Sequence, residues 1–438
     1  MTTAEPVPTE QPWRLRFFTI WTGQAFSILG SQLVGFALIW WLTRNTGSAT
    51  VLATATLVSL LPQVLLGPFI GTWVDRLNRR VVMIAADSIV ALATLILALL
   101  FWADQVHFVY LYILFFIRSI AGSFHFSSMQ ASTSLMVPKR HLARIQGMNQ
   151  MIGGGLNIIS APLGALLLEL LPMQGILGID IATMLLAVLP LFFFSIPQPE
   201  RQLTAANNGA QPTFWQDFRA GFVYVVTWKG LMLIGLMAIL INFLLTPAFS
   251  LMPILVTKHF QGQAFHLAWM QSAEGIGVLA GGALLSVWGG FKRRIYTSLL
   301  GVFGIGVGTL VMGLLPASFF PLAVVLMFFM GFTNPIANGP LLASVQAAVD
   351  PEMQGRVFTL LGSVASGMAP LGLVMAGPIA DALGVQAWFL VGGIVTLLMG
   401  AFGLSNQHIR RFEDGRSPKG HDESAEPMPA ASQDVVAG

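Results

Sequence analysis

The chain has 438 residues, 55% of them apolar and only 9% charged, with no cysteine and a formal charge of +3 at neutral pH. Soluble domains carry roughly 25% charged residues, so most of this chain cannot face water, and so small a basic excess does not point to nucleic acid. With no cysteine in the sequence, disulfides, thiolate chemistry and cysteine metal sites are excluded.

Residues 1–16 read as a polar tail without the short apolar core and small-residue cleavage site of a signal peptide, so the first span is expected to be retained. Apolar runs of about 20 residues, enough to cross a bilayer as helix, can then be laid out at 17–42, 49–74, 81–102, 108–137, 144–171 and 174–195, which make a first group, 17–195. A linker, 196–229, opens on Pro197 and Pro199 and passes through Asn207-Asn208-Gly209. Within it Phe214, Phe218, Phe222 and Val225 recur at helical spacing, with Gln216, Asp217 and Arg219 between them, which predicts a short helix in the headgroup layer. Six further runs, at 230–257, 265–289, 295–315, 319–349, 354–382 and 386–406, make a second group, 230–406, and 407–438 reads as a polar, disordered tail. Of the 22 Lys and Arg residues only Arg44 and Lys258 fall in odd-numbered loops, which predicts that both termini are cytoplasmic.

The two groups repeat each other. Gln146-Gly147, Gly154 and Ala161-Pro162-Leu163-Gly164 recur 208 residues later as Gln354-Gly355, Gly362 and Ala369-Pro370-Leu371-Gly372. Ala131-Ser132 answers Ala343-Ser344, and Gly67 with Arg79-Arg80 answers Gly281 with Arg293-Arg294. The expected fold is therefore an all-α membrane protein of twelve transmembrane helices in two parallel six-helix repeats. Parallel repeats with a substrate site between them characterise secondary transporters. Pro162 and Pro370, at equivalent places, should kink their helices by removing a backbone donor.

Arg118 falls inside the fourth span, where an arginine is costly unless it faces protein or water, so it is a functional candidate. Asp87 and Glu274 are the acids set most clearly within spans, and Asp180 comes close, while Glu169 and Asp381 look like outer-edge residues. A carboxylate at that depth can load and discharge a proton as its exposure changes, which makes Asp87, Glu274, Arg118 and Asp180 the proton-coupling candidates. His125, seven residues after Arg118 on the same helix face, can join a relay. Gln24, Gln32, Gln150, Asn157 and Asn242 are candidates to line a cavity, with Phe26, Phe36, Met148, Met237, Phe243 and Met270 as apolar walls. The sequence contains no phosphate-binding G-x-x-x-x-G-K-[ST] loop, no histidine pair at metal spacing and no acyl-transfer elbow, so an enzyme is not expected and neither is a cofactor.

The segment from Gly67 to Arg80 places Gly71, Asp75, Arg76, Arg79 and Arg80 between the second and third spans. An acid there can lie against the positive start of a helix and the arginines can pair with acids or lipid phosphates, a latch between the halves on the cytoplasmic side. This segment, with Arg118 followed by Gly122, resembles the major facilitator superfamily; Asn78 stands where that family has a second glycine, and the second repeat has Gly289 in place of Asp75. Trp21-Thr22-Gly23-Gln24-Ala25-Phe26-Ser27, Ala37-Leu38-Ile39-Trp40-Trp41-Leu42-Thr43, Val74-Asp75-Arg76, Met83-Ile84-Ala85-Ala86-Asp87 and Gly355-Arg356-Val357-Phe358-Thr359-Leu360 are similar to its macrolide-efflux branch. The family's antiporter motif is altered, with Ala161-Pro162 where Gly-Pro is usual and Gly164 one residue early. The resemblance implies a monomeric, multi-pass protein of the cell membrane that exports bulky amphiphilic compounds, macrolide-like drugs foremost, by proton-coupled alternating access. A siderophore or other metabolite exporter is the alternative within the same class. A membrane sensor or scaffold that kept the fold without transport is the alternative outside it.

Overall fold

Apolar segments of this length satisfy their backbone groups internally, which in lipid means helix. The computed structural model describes residues 11–194, 196 and 214–415. Its helices are α1 (Gln11–Thr46), α2 (Ala49–Arg76), α3 (Arg79–Trp102), α4 (Phe108–Met136), α5 (Lys139–Leu170), α6 (Met173–Phe193), α7 (Phe214–Thr227), α8 (Lys229–Ser250), α9 (Met252–Ile254), α10 (Ala264–Trp288), α11 (Arg294–Leu314), α12 (Phe320–Ala348), α13 (Pro351–Leu383), α14 (Val385–Ser405) and α15 (Gln407–Arg410). Eleven of the described helices are long and apolar enough to cross a membrane. The remaining expected span corresponds to α10, 25 residues long but diluted by Gln271, Ser272 and Glu274, and packed between α5 and α12. Pro162 and Pro370 both lie inside continuous helices.

Helix contacts follow the sequence repeat. Among the first six helices α1 packs on α5 and α6, α2 on α4, and α3 on α4 and α6; α8 packs likewise on α13 and α14, α10 on α12, and α11 on α12 and α14. The repeated glycines do the same work in both sets. A Cβ on Gly164 would fall 2.8 Å from the Phe36 ring, and one on Gly372 2.1 Å from the Phe243 carbonyl oxygen, so each glycine lets one helix cross closely over the first helix of its own set.

The two sets meet where α2 touches α13 and α5 touches α10. Both contacts are tight away from the chain termini and loosen towards them. On α13 a Cβ at Gly377 would fall 2.7 Å from the Thr50 Cα, one at Gly367 first meets Val64 at 4.0 Å, and Gly362 and Gly355 have no neighbour within 4 Å. Across the other contact, a Cβ at Gly275 would fall 2.8 Å from Ile158 and one at Gly154 3.3 Å from Leu279, while one at Gly147 or Gly282 would meet nothing within 4 Å. The molecule is thus closed on the face opposite its termini and open on the face that bears them.

Four details correct the sequence reading. Residues 11–16 are not tail but the first turns of α1, where Trp13 stacks on His141 with centroids 5.4 Å apart. Asn78 is extended, with φ −73°, and caps α3 by accepting from the Arg80 and Val81 amides; it does not take the left-handed turn a glycine would permit. The linker helix α7 buries Gly221, Tyr224 and Val225 against α13 and α8 and leaves Phe218 and Phe222 exposed, because it carries apolar residues on two faces and only one meets the bundle. Residues 407–415 are folded: Phe412 stacks on Trp228 at 4.7 Å, and Glu413 accepts from the Ile295 amide at 2.7 Å and the Ser344 hydroxyl at 2.9 Å, capping the start of α11. The expected tail residues 1–10 and 416–438 and the linker residues 197–213 lie outside the described residues.

Candidate functional site

Burying a guanidinium requires an answering charge, and here α6 supplies it. Arg118 on α4 donates to the carboxylate of Asp180 at 2.6 Å and to the Ser31 carbonyl of α1 at 3.2 Å. Asp180 is completely buried and accepts as well from the hydroxyls of Ser31 at 3.2 Å and Thr94 at 3.5 Å. Four helices, α1, α3, α4 and α6, therefore converge on one ion pair. Ser31 and Thr94 carry no signal in the sequence, since hydroxyls are common in such helices and only their convergence on Asp180 distinguishes them.

About two helical turns along α4 and α3 lies a second polar group. His125 Nε2 stands 3.6 Å from Asp87 Oδ2, too far for a hydrogen bond, and neither atom has a hydrogen-bonding partner among the described residues. The side-chain amide of Gln24 and the hydroxyl of Ser128 are likewise buried without partners. Asp87, His125, Arg118, Gln24 and Gln32 all line one cavity of about 510 Å³, whose apolar wall includes Ile28, Val90, Phe126 and Met184. A cavity of about 390 Å³ continues from Gln24, Ile28, His125 and Phe126 to Gln150, Trp21 and Asn149, the last two joined by a 2.7 Å hydrogen bond. Another of about 510 Å³ adjoins at Arg118, Gly122 and Phe126 and extends to Gly67, Gln63 and Ser59. Their walls come from the first six helices alone.

At one pair of equivalent glycines the second set is filled where the first is hollow. Gly281, the counterpart of Gly67, faces α12 so closely that a Cβ would fall 2.0 Å from the Phe332 carbonyl oxygen, whereas Gly67 and Gly71 have no neighbour within 4 Å. The candidates on this side are accordingly not brought to the cavities. Asn242 donates to Ala238 of its own helix at 2.9 Å, and the Phe243 ring packs near Trp388 at 6.4 Å. Glu274 sits on α10 beside Gly275 and Ser272, whose hydroxyl bonds the Ile158 carbonyl across the sets at 2.7 Å, and in the first set Asn157 is exposed on α5, outside the cavities described above. Among the proposed apolar walls, Phe36, Met237 and Met270 are buried in helix packing.

The basic residues after α2 hold their own half together. Arg79 donates to the Ala131 carbonyl at 3.0 Å, and Arg80 bonds the Leu191 and Phe192 carbonyls at the end of α6, the latter at 2.9 Å. Arg76 is exposed, and the side chain of Asp75 lies outside the described residues. In the second set Arg294 reaches the carbonyl of Ala343, the counterpart of Ala131, at 3.5 Å. α10 is capped by Gly289 at φ +73°, a left-handed position that glycine takes freely.

Comparison with known proteins follows the same lines. The model of the Major Facilitator Superfamily matches residues 20–372 and, in a second match, 231–433. Macrolide efflux protein A of Streptococcus pyogenes is 33% identical over 401 residues, covering 92% of this chain and 98% of that protein. The multidrug efflux pump Tap of Mycolicibacterium fortuitum is 26% identical over 409 residues, covering 89% and 95%. Among solved structures, a bacterial homolog of the human lysosomal transporter Spinster, in an inward-facing and unoccupied conformation, is similar with a TM-score of 0.65 at 14% identity, covering 94% of this chain and 100% of that one.

Proposed function

The chain belongs to the Major Facilitator Superfamily and is a membrane transporter, not an enzyme, and from that premise we propose that it exports bulky amphiphilic compounds, macrolide-like drugs foremost, in exchange for protons. The observation that carries this reading is the pairing of Asp87 with His125 on the wall of a cavity whose neighbouring wall is Arg118 with Asp180. The charge of Arg118 is matched by Asp180, whereas no permanent cation is committed to Asp87. The Asp87–His125 pair is then the place where a proton arrives and leaves. The cavity volumes fall in the roughly 300–1,000 Å³ range of small-molecule sites, and walls of Phe, Ile and Met with few polar groups suit an apolar guest with a polar handle.

With both termini in the cytoplasm, as the distribution of Lys and Arg implies, the open face is the inner one, and substrate enters from the cytoplasm or the inner leaflet. Closing that face and opening the other exposes the same cavity outside. Asp75, followed in sequence by Arg76, Arg79 and Arg80, serves as the cytoplasmic latch of the closed inner face, with Arg79 and Arg80 bracing the half that carries it. Glu274, beside the contact of α10 with α5, is the second proton site.

The test is efflux of a panel of labelled amphiphiles in inverted vesicles with an imposed pH gradient. Asp87→Asn and Glu274→Gln should abolish uphill transport while leaving downhill exchange measurable. Uphill pumping at the wild-type rate by both variants rules out proton coupling through these residues.

A further inference from the structure

α2 and α13 run antiparallel across the interface, so the end of each helix lies beside the start of the other. The first amides of any helix lack partners within it and form its positive end. At the start of α2 that lack is met from the other half. Asp381, in the last turn of α13, accepts from the Ala49 amide at 2.7 Å through one carboxylate oxygen, and from the Thr50 amide and the Ser48 hydroxyl, each at 2.9 Å, through the other. Ser48 meanwhile caps its own helix by accepting from Val51 at 3.3 Å. A turn further along α13, Gly377 lies against Thr50 and Ala53 with no room for a Cβ. Beyond this point the two helices part.

We propose that Asp381 is the latch of the face opposite the termini, holding the halves closed there in the state seen and releasing when that face opens. It acts by positioning the halves and touches neither substrate nor proton path. Three features fit a reversible contact. All three bonds go to one carboxylate, so a single separation breaks them together. Asp381 is exposed and Ser48 and Thr50 are half-buried, with only Ala49 fully covered, so water can replace the carboxylate as the helices part. The contact joins α13 to α2 and therefore reports on the relative position of the halves, unlike Arg79 and Arg80, which bond within one half. The cytoplasmic acid expected at Asp75 belongs to the opposite end of the same helix pair. The inference rests on the alternating-access reading above, but its test needs neither substrate nor a proton gradient.

The natural sequence has no cysteine, so single reporter thiols can be placed without further change. Ala53→Cys, 2% exposed between α2 and α13, reports the closed face, and Gly67→Cys, with nothing within 4 Å, reports the open one. Labelling rates with a charged maleimide in membranes are compared with and without Asp381→Asn. Loss of the charge should raise labelling of Ala53→Cys about tenfold and lower that of Gly67→Cys, the factor expected when a charge-assisted bond is lost from one of two states. Unchanged rates at both thiols, or a rise at both together, overturns the proposal. Gly377→Ala tests the same interface sterically, and Asp381→Asn must shift the two thiols in the same opposed sense that it does. Asp381→Glu, which keeps the charge, should restore most of the wild-type ratio; failure of the charge to rescue also counts against the latch.

Discussion

A guanidinium within a transmembrane helix has to be answered, and Arg118 is answered by a carboxylate on one side and a backbone carbonyl on the other. Removing one member of such a pair leaves the other buried and alone, which costs about 3–5 kcal/mol, whereas replacing both by apolar residues is far milder. Asp180→Asn should therefore lower the thermal stability of the purified protein markedly, and Arg118→Leu with Asp180→Leu should recover much of it without recovering transport. Equal stability of Asp180→Asn and wild type would show that the pair is not what holds α4 to α6. Asp87 differs in kind. Its neighbour His125 stands at 3.6 Å without a bond, so Asp87→Asn should leave stability nearly unchanged and remove uphill transport alone. Sequence showed both acids and the arginine, but not which acid belonged to which cation, because Arg118 and Asp180 are 62 residues apart and meet only through helix packing.

Glycines explain why equivalent helices behave differently in the two halves. A Cβ on Gly281 would fall 2.0 Å from the Phe332 carbonyl oxygen, whereas Gly67, its counterpart, faces open space. Gly281→Ala should then cost about 1–3 kcal/mol through overpacking of α10 against α12. Gly67→Ala should cost almost nothing and instead narrow the cavity, changing transport without changing the melting temperature. Parallel losses of stability in the two variants would contradict the asymmetry. Helix termini follow the same local logic. Asn78 at the start of α3 was visible as a departure from the expected glycine, yet its use as a capping acceptor depended on where α3 begins.

At the scale of the molecule, the remaining expectations concern orientation and the folded C-terminal segment. Reporter fusions after Arg44 and Lys258 should read outside, and fusions after Arg80, Asn208 and Arg416 inside. An outside reading at Asn208 would break the pairing of the two six-helix groups. Truncation after Ser405 removes the Phe412 stack on Trp228 and the Glu413 cap of α11, so it should destabilise the second half while truncation after Gly415 does not. Limited proteolysis of the two truncated proteins distinguishes these outcomes.

Composition, the length of the apolar runs and the 208-residue repeat were enough to determine a helical membrane protein built from two like groups, because lipid leaves so few ways to satisfy a backbone. Helix periodicity likewise revealed α7 but not the face it would bury, since both of its faces carry apolar residues and only the position of α13 selects between them. The acids, the arginine and the glycines were legible as residue types. Which glycine faces a gap, and which end of α2 meets an acid from α13, was decided by packing: a close approach at Gly377 and a gap at Gly67 are properties of two surfaces together. Asp381 looked like an edge residue for that reason. Its three partners belong to a helix more than 300 positions away, which only the tertiary fold brings within hydrogen-bonding distance.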